Sequence, residues 1–227
     1  MTNFIVTSCG TDIGKTHAGC LLIQALKARG RTVRALKPLI SGMQNMALAD
    51  TDSGRLLVAL GQEVTPDAVR AISPWQFMAP LSPSMAARAE GVELRAEAVA
   101  QWCLAELRKH PQTITFIEGA GGVMAPLSDH HTKRDLFGML NAPVVLVVGC
   151  YLGSISHALT ALAALKPLSV AAVIISDKGD TSVGREATQA ELRRFIPNAV
   201  PIFSIPNGAS ASDDAITAIA SHLETLC

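Results

Sequence analysis

Neither sign of charge is in excess: 19 lysines and arginines meet 19 aspartates and glutamates in 227 residues. That balance argues against a dedicated nucleic-acid binder, which usually carries a basic stripe, while leaving room for a local basic pocket. The five cysteines, Cys9, Cys20, Cys103, Cys150 and Cys227, are scattered and form no C-x-x-C pair. A disulfide frame and a zinc site are both disfavoured, and reduced thiols in a cytoplasm are expected. Long apolar runs are missing as well. The longest, around Val144–Val148, has a buried strand's length and is far too short to span a bilayer. No basic segment followed by a long apolar stretch opens the chain, so no secretory signal and no membrane partner are expected. No Pro/Gly/Ser linker, charge block, repeat or low-complexity tract divides it. Residues 1–227 are therefore expected to form a single domain.

What is present is alternation. Apolar, β-branched runs at Asn3–Thr7, Thr32–Leu36, Thr113–Ile117, Val144–Val148, Val170–Ile175 and Val200–Phe203 read as strands. Helical patterns fall at Lys15–Arg29, Asp52–Leu60, Ser82–Ala89, Leu94–His110, Ser154–Lys166, Gly184–Phe195 and Ser212–Leu226. Several strands are apolar on both faces, as central parallel strands are. The expected fold is α/β, a mostly parallel sheet with helices on both faces. In such sheets ligands gather at the carboxyl ends of the strands, so the polar residues after each run are the candidates.

After the first strand comes Ser8-Cys9-Gly10-Thr11-Asp12-Ile13-Gly14-Lys15-Thr16, then a helix. Strand, glycine-bearing turn, Gly-Lys-Thr and helix are the layout of a P-loop NTPase. Backbone N–H groups from Gly10 to Thr16 and the helix start, with His17, would face a polyphosphate. Lys15 would reach the β- and γ-phosphates, and the Thr16 hydroxyl would sit on Mg²⁺. The usual glycine five residues before Gly14 is here Cys9.

Glu118 ends the third strand and opens Glu118-Gly-Ala-Gly-Gly. A carboxylate there can hold Mg²⁺, which takes one or two carboxylates, phosphate oxygens and waters. Asp52 is the preferred second carboxylate over Asp50, and Asp52 could instead cap the helix that follows it. Lys37, stiffened by Pro38, could neutralise a γ-phosphate or another developing anion, or be an ordinary surface lysine. Ser41 is a hydroxyl ligand or a turn residue, and Thr11 points to the same place. Free N–H groups at the helix start near Gly153-Ser154 attract carboxylates or phosphates. His157 reads as a hydrogen-bonded structural residue, and His130-His131 as exposed. No Ser/His/Asp grouping stands out.

Taken together the chain resembles the dethiobiotin synthetases, ATP-dependent enzymes of biotin synthesis, from the first strand to about Ser212. The most specific stretch is Phe116-Ile117-Glu118-Gly119-Ala120-Gly121-Gly122, followed by Ala125-Pro126-Leu127-Ser128-Asp129. Pro143–Gly149, Leu152-Gly153, Ser156-His157, Lys37-Pro38, Ser41-Gly42 and Ser82-Pro83 fit the same family. The resemblance implies ATP and Mg²⁺ as cofactors, with 7,8-diaminopelargonate and CO₂ as substrates. One amine would take up CO₂, ATP would phosphorylate the carbamate to a mixed anhydride, and the other amine would close the cyclic urea. Lys15, Lys37, Thr11 and Ser41 would serve the chemistry, with Gly121 framing the substrate and Thr16, Asp52 and Glu118 holding the metal. A homodimer is implied, in which Leu152, Gly153 and Ser154 of the neighbouring subunit receive the substrate's carboxylate.

Two departures matter. The family's loop usually begins Gly-Thr-Asp-Thr, where this chain has Ser8-Cys9-Gly10-Thr11. The family tends to place Asn-Asp after the fifth strand, the asparagine touching adenine, where this chain has Ser176-Asp177. A hydroxyl cannot reproduce an amide's paired donor and acceptor, so Pro206, Asn207 and Gly208 are the alternative base contacts. The rival readings are a partition or septum-positioning ATPase and a related amide ligase. The first often has a second lysine near the loop's start, and none stands there. The second carries an additional glutaminase domain, for which this length leaves little room.

Overall fold

A computed structural model describes residues 3–179 and 183–227. Its strands are β1 (Asn3–Ser8), β2 (Val33–Leu36), β3 (Leu39–Ile40), β4 (Trp75–Gln76), β5 (Ile114–Glu118), β6 (Val144–Gly149), β7 (Val170–Ser176) and β8 (Ile202–Ile205). Its α-helices are α1 (Lys15–Ala28), α2 (Asp52–Ala59), α3 (Pro66–Ile72), α4 (Pro83–Ala89), α5 (Ala96–Lys109), α6 (Lys133–Leu140), α7 (Ser154–Leu165), α8 (Arg185–Arg193) and α9 (Asp214–Thr225). A 3₁₀ turn, Leu48–Asp50, precedes α2.

Six strands form one sheet in the order β2-β5-β1-β6-β7-β8, and every neighbouring pair is parallel. All six were legible as apolar runs. β3 and β4 make a separate two-stranded parallel pair beside the carboxyl end of β2.

Alternate residues feed two cores. Phe4, Val6, Phe116, Val145 and Val147 pack with α1, α2, α3 and α9 on one face. Ile5, Ile117, Leu146, Val148 and Val173 pack with α4 to α8 on the other. A strand buried on both faces cannot alternate apolar with polar, which is why these runs read as continuous. The central strands are almost fully excluded from water, and the two helical layers follow from that.

The topology sets the site. From β1 the chain first builds to one side, through β2 and β5, and then to the other, through β6, β7 and β8. The strand order reverses at β1, and a crevice opens at such a reversal, outside the carboxyl ends of the strands. Register does the rest. Val6 pairs with Glu118, and Leu36 with Ile117. Lys37, one residue past Leu36, therefore arrives level with Glu118, beside the loop that leaves β1.

Candidate functional site

The loop between β1 and α1 turns on Gly14, whose φ of 105° caps α1. A Cβ there would lie 2.4 Å from Ser176 Oγ, so the position excludes a side chain on space as well as on conformation. Asp12 also adopts a positive φ, 55°. Lys15 opens α1, and its Nζ donates to Ser8 Oγ at 3.1 Å and to the Gly10 carbonyl at 3.2 Å. Burial, then the charge of Lys37, lowers the Lys15 pKa from its ordinary value, against the opposing pull of Glu118, Asp52 and Asp12.

Next to it the carboxylates converge. Thr16 Oγ1 lies 2.9 Å from Asp52 Oδ1 and 2.8 Å from Glu118 Oε1. Lys37 Nζ lies 2.7 Å from Asp52 Oδ2 and 2.5 Å from Glu118 Oε1. Thr51, not Asp52, is the N-cap of α2, its hydroxyl accepting from Gly54 N at 3.0 Å. Capping therefore does not consume the Asp52 carboxylate. Lys37 is fully buried; burial lowers its pKa, but Glu118 and Asp52 outweigh that and raise it. Burial would raise the Asp52 pKa, but the Lys37 charge and hydrogen bonds from Lys37 and Thr16 hold it below the usual carboxylate range.

This donor set fits a hard divalent cation. One hydroxyl proton on Thr16 cannot serve both carboxylates at once, so one of its two contacts sets lone pair against lone pair. Glu118 Oε2 is buried without a hydrogen-bond partner. An oxygen so placed is costly unless a cation or a donor meets it.

A single pocket gathers most of the candidates. Thr11 to His17, Lys37, Ser41, Asp50, Asp52 and Gly121 all line it. Asp50 thus shares the pocket, but the Thr16 and Lys37 contacts are made by Asp52. Ser41 Oγ donates to the Leu81 carbonyl at 2.8 Å, tying the floor of the pocket to the segment before α4. Gly121, at φ 72°, brings the loop after β5 against Thr11.

Other candidates lie apart. Ser176 is buried against Gly14. Asp177 accepts from Gly179 N at 2.8 Å, and the Asn207 side chain packs on Gly179, so the turns holding Asp177 and Pro206-Asn207-Gly208 meet each other. None of these five residues lines the pocket. Leu152, Gly153 and Ser154 are also outside the pocket of their own chain. Gly153 caps α7, and the buried Ser154 Oγ has no partner. His157 bonds Tyr151 Oη at 2.8 Å, whereas His131 is only half-exposed and reaches Ser128 at 3.3 Å.

Arg55 and Lys178 also line the pocket; Lys178 was among the polar residues after the fifth strand, whereas Arg55 was not picked out from sequence. Arg55 had a signal, lying three residues after Asp52 on the same face of α2, just as Lys178 follows the end of β7. Together with Arg55, Lys178 adds to the burial that lowers the His17 pKa.

A family model described as an AAA domain matches residues 2–210. The "ATP-dependent dethiobiotin synthetase BioD" of Caulobacter sp. strain K31 is 44% identical over 98% of this chain and 94% of its own length. Its namesakes in Phenylobacterium zucineum and Acidiphilium cryptum are 42% and 39% identical, over 96% and 95% of this chain and 94% and 99% of their own. Among solved structures, the signal recognition particle receptor FtsY from Elizabethkingia anophelis superposes with a TM-score of 0.56 at 16% identity. That match covers 98% of this chain and 65% of the receptor. The septum site-determining protein MinD from Pyrococcus horikoshii superposes at 0.50 and 16%, over 99% and 95%. At such identities these two structures speak for the fold alone. The near full-length matches, together with a phosphate loop facing two carboxylates and a buried lysine, mean that the chain belongs to the dethiobiotin synthetase family of P-loop, AAA-type proteins.

Proposed function

We propose that this protein is an ATP- and Mg²⁺-dependent dethiobiotin synthetase that carboxylates 7,8-diaminopelargonate with CO₂ and closes the ureido ring, releasing ADP and phosphate. The observation that carries the reading is the contact of Thr16, Lys37, Asp52 and Glu118 beside Lys15, brought from the ends of β2 and β5 and from the starts of α1 and α2.

Phosphoryl transfer asks for in-line positioning and for neutralisation of spreading negative charge. The loop N–H groups from Thr11 to Thr16 hold the triphosphate, and Lys15 contributes an ammonium to it. Thr16, Asp52 and Glu118 would hold Mg²⁺, which would supply positive charge against the negative charge on the phosphates. Lys37, kept charged by its two carboxylates, faces the carbamate and the γ-phosphate. Thr11, Ser41 and Gly121 frame the diamine. One amine adds to CO₂ and loses a proton to give the carbamate; a carbamate oxygen attacks the γ-phosphorus as the bond to ADP breaks; and the second amine attacks the carbamoyl carbon, losing a proton as phosphate leaves.

We further place the substrate's carboxylate on Leu152, Gly153 and Ser154 of the partner subunit in a cytoplasmic homodimer of single-domain chains. The α7 start places its helix dipole there, the buried Ser154 Oγ has no partner although its N–H donates to the Tyr151 carbonyl at 2.9 Å, and Leu152 just before it is 86% exposed. Among the described residues no helix is long and apolar enough to cross a membrane.

The test is phosphate release from ATP, Mg²⁺ and bicarbonate, with and without the diamine, with mass detection of the product. Diamine-dependent release matched by dethiobiotin is expected. ATP hydrolysis indifferent to the diamine, with no cyclic urea, would contradict the reading.

A further inference from the structure

Ser8 occupies the last position of β1 and is fully buried. Its hydroxyl accepts a hydrogen bond from Lys15 Nζ at 3.1 Å and donates a short one to the Gly10 carbonyl, which itself accepts from Lys15 Nζ at 3.2 Å. The Gly10 N–H approaches the same hydroxyl at 3.4 Å. Hydroxyl, carbonyl and ammonium thus close a three-membered ring of contacts at the root of the phosphate loop. A glycine at position 8, where the chain departs from the pattern it otherwise follows, could form neither hydroxyl contact.

A lysine ammonium has three N–H donors and no acceptor. With two committed to Ser8 Oγ and Gly10 O, one is left, and its direction is set by the other two. Lys15 has a long flexible side chain, and fixing it before a ligand arrives removes an ordering cost from binding.

We infer that Ser8 is a positioning residue for Lys15: its hydroxyl, with the Gly10 carbonyl, anchors two of the three ammonium donors and aims the third at a phosphate oxygen. This rests on the reading of Lys15 as a phosphate ligand. Ser8 also braces the loop, because the bond to Gly10 O closes the turn that Cys9 begins.

A double-mutant cycle tests it, read as the dissociation constant of a non-hydrolysable ATP analogue with Mg²⁺. Loss of one acceptor to a buried charged donor is worth on the order of tenfold. Ser8→Ala is expected to weaken binding by about that factor in the wild-type background, and to change it less than twofold in a Lys15→Ala background. Equal weakening in both backgrounds, or none in the wild type, overturns the proposal. Ser8→Thr keeps the hydroxyl in a bulkier side chain. It is expected to bind the analogue nearly as wild type does; weakening equal to that of the alanine variant also overturns the proposal. If Lys15→Ala alone leaves affinity unchanged, the phosphate-ligand reading itself fails and takes the positioning role with it.

Discussion

Lys37 and Lys133 are both fully buried, and their surroundings send them in opposite directions. Lys37 meets two carboxylates and stays charged. Lys133, the first residue of α6, meets none: its Nζ has no hydrogen-bond partner. Burial, then the charge of Lys37, lowers its pKa to about 7, with Lys15 adding to the effect and Cys103 opposing it. In the unfolded chain that amine stays protonated to its ordinary pKa of 10.5. Between the two values the unfolded state binds more protons, so this residue makes stability rise with pH, by ~1.4 kcal/mol per unit at most. Lys133→Met is expected to melt higher than the wild type at pH 7, and the gap is expected to narrow towards pH 9.5. Melting curves at the two pH values check this; a gap independent of pH would contradict it. Sequence could find Lys37, because it follows a strand and precedes Pro38. It could not find Lys133, because Thr132-Lys133-Arg134-Asp135 reads like any solvated helix start. What buries the lysine is the packing of α6 on α5, which no local pattern announces.

The Asp52 carboxylate is placed by elements rather than by its own neighbours. α2 carries Asp52 at its first position, and the preceding 3₁₀ turn lies across it so closely that only glycine fits at position 54. A Cβ on Gly54 would stand 2.0 Å from the Leu48 carbonyl oxygen and 2.8 Å from Ala49 Cα, both backbone atoms. No side-chain rotation relieves that contact. Gly54→Ala is therefore expected to push the turn and the start of α2 apart, costing roughly 1–3 kcal/mol and moving Asp52 from Thr16. The Mg²⁺ needed for half-maximal activity should rise severalfold, checked by titration. An unchanged Mg²⁺ requirement with unchanged stability would refute the idea. The main strands and seven helices were legible from periodicity. The pair β3–β4 was not, since two-residue strands show no period. α3 and α6 were missed as well, although each begins with a threonine at its N-cap, followed by Pro66 in one case and by Asp135 three residues on in the other. Asp135 accepts from the Thr132 N–H at 2.7 Å and from its hydroxyl at 2.8 Å. Both helices are short, seven and eight residues, and the second contains Gly138.

At the scale of the molecule, one sheet carries the chemistry along a single rim. A receptor and a septum protein share this fold, so the fold names no activity. Activity lies in which side chains end which strands. Lys37 and Glu118 could be read in sequence because they stand at the ends of strands, and Lys15 and Thr16 because Gly14-Lys15-Thr16 opens the helix after a strand and turn. The Asp52 contacts and the Ser8–Lys15 bond could not, because they join elements far apart along the chain or depend on how the loop path turns. The central claim is that a carbamate oxygen, not water, takes the γ-phosphoryl group in this pocket. Oxygen-18-labelled bicarbonate in unlabelled water tests it over a short incubation with ATP, Mg²⁺ and the diamine. The account predicts one oxygen-18 in the released phosphate and one in the ureido carbonyl of the product. Diamine-dependent phosphate carrying no label would contradict it.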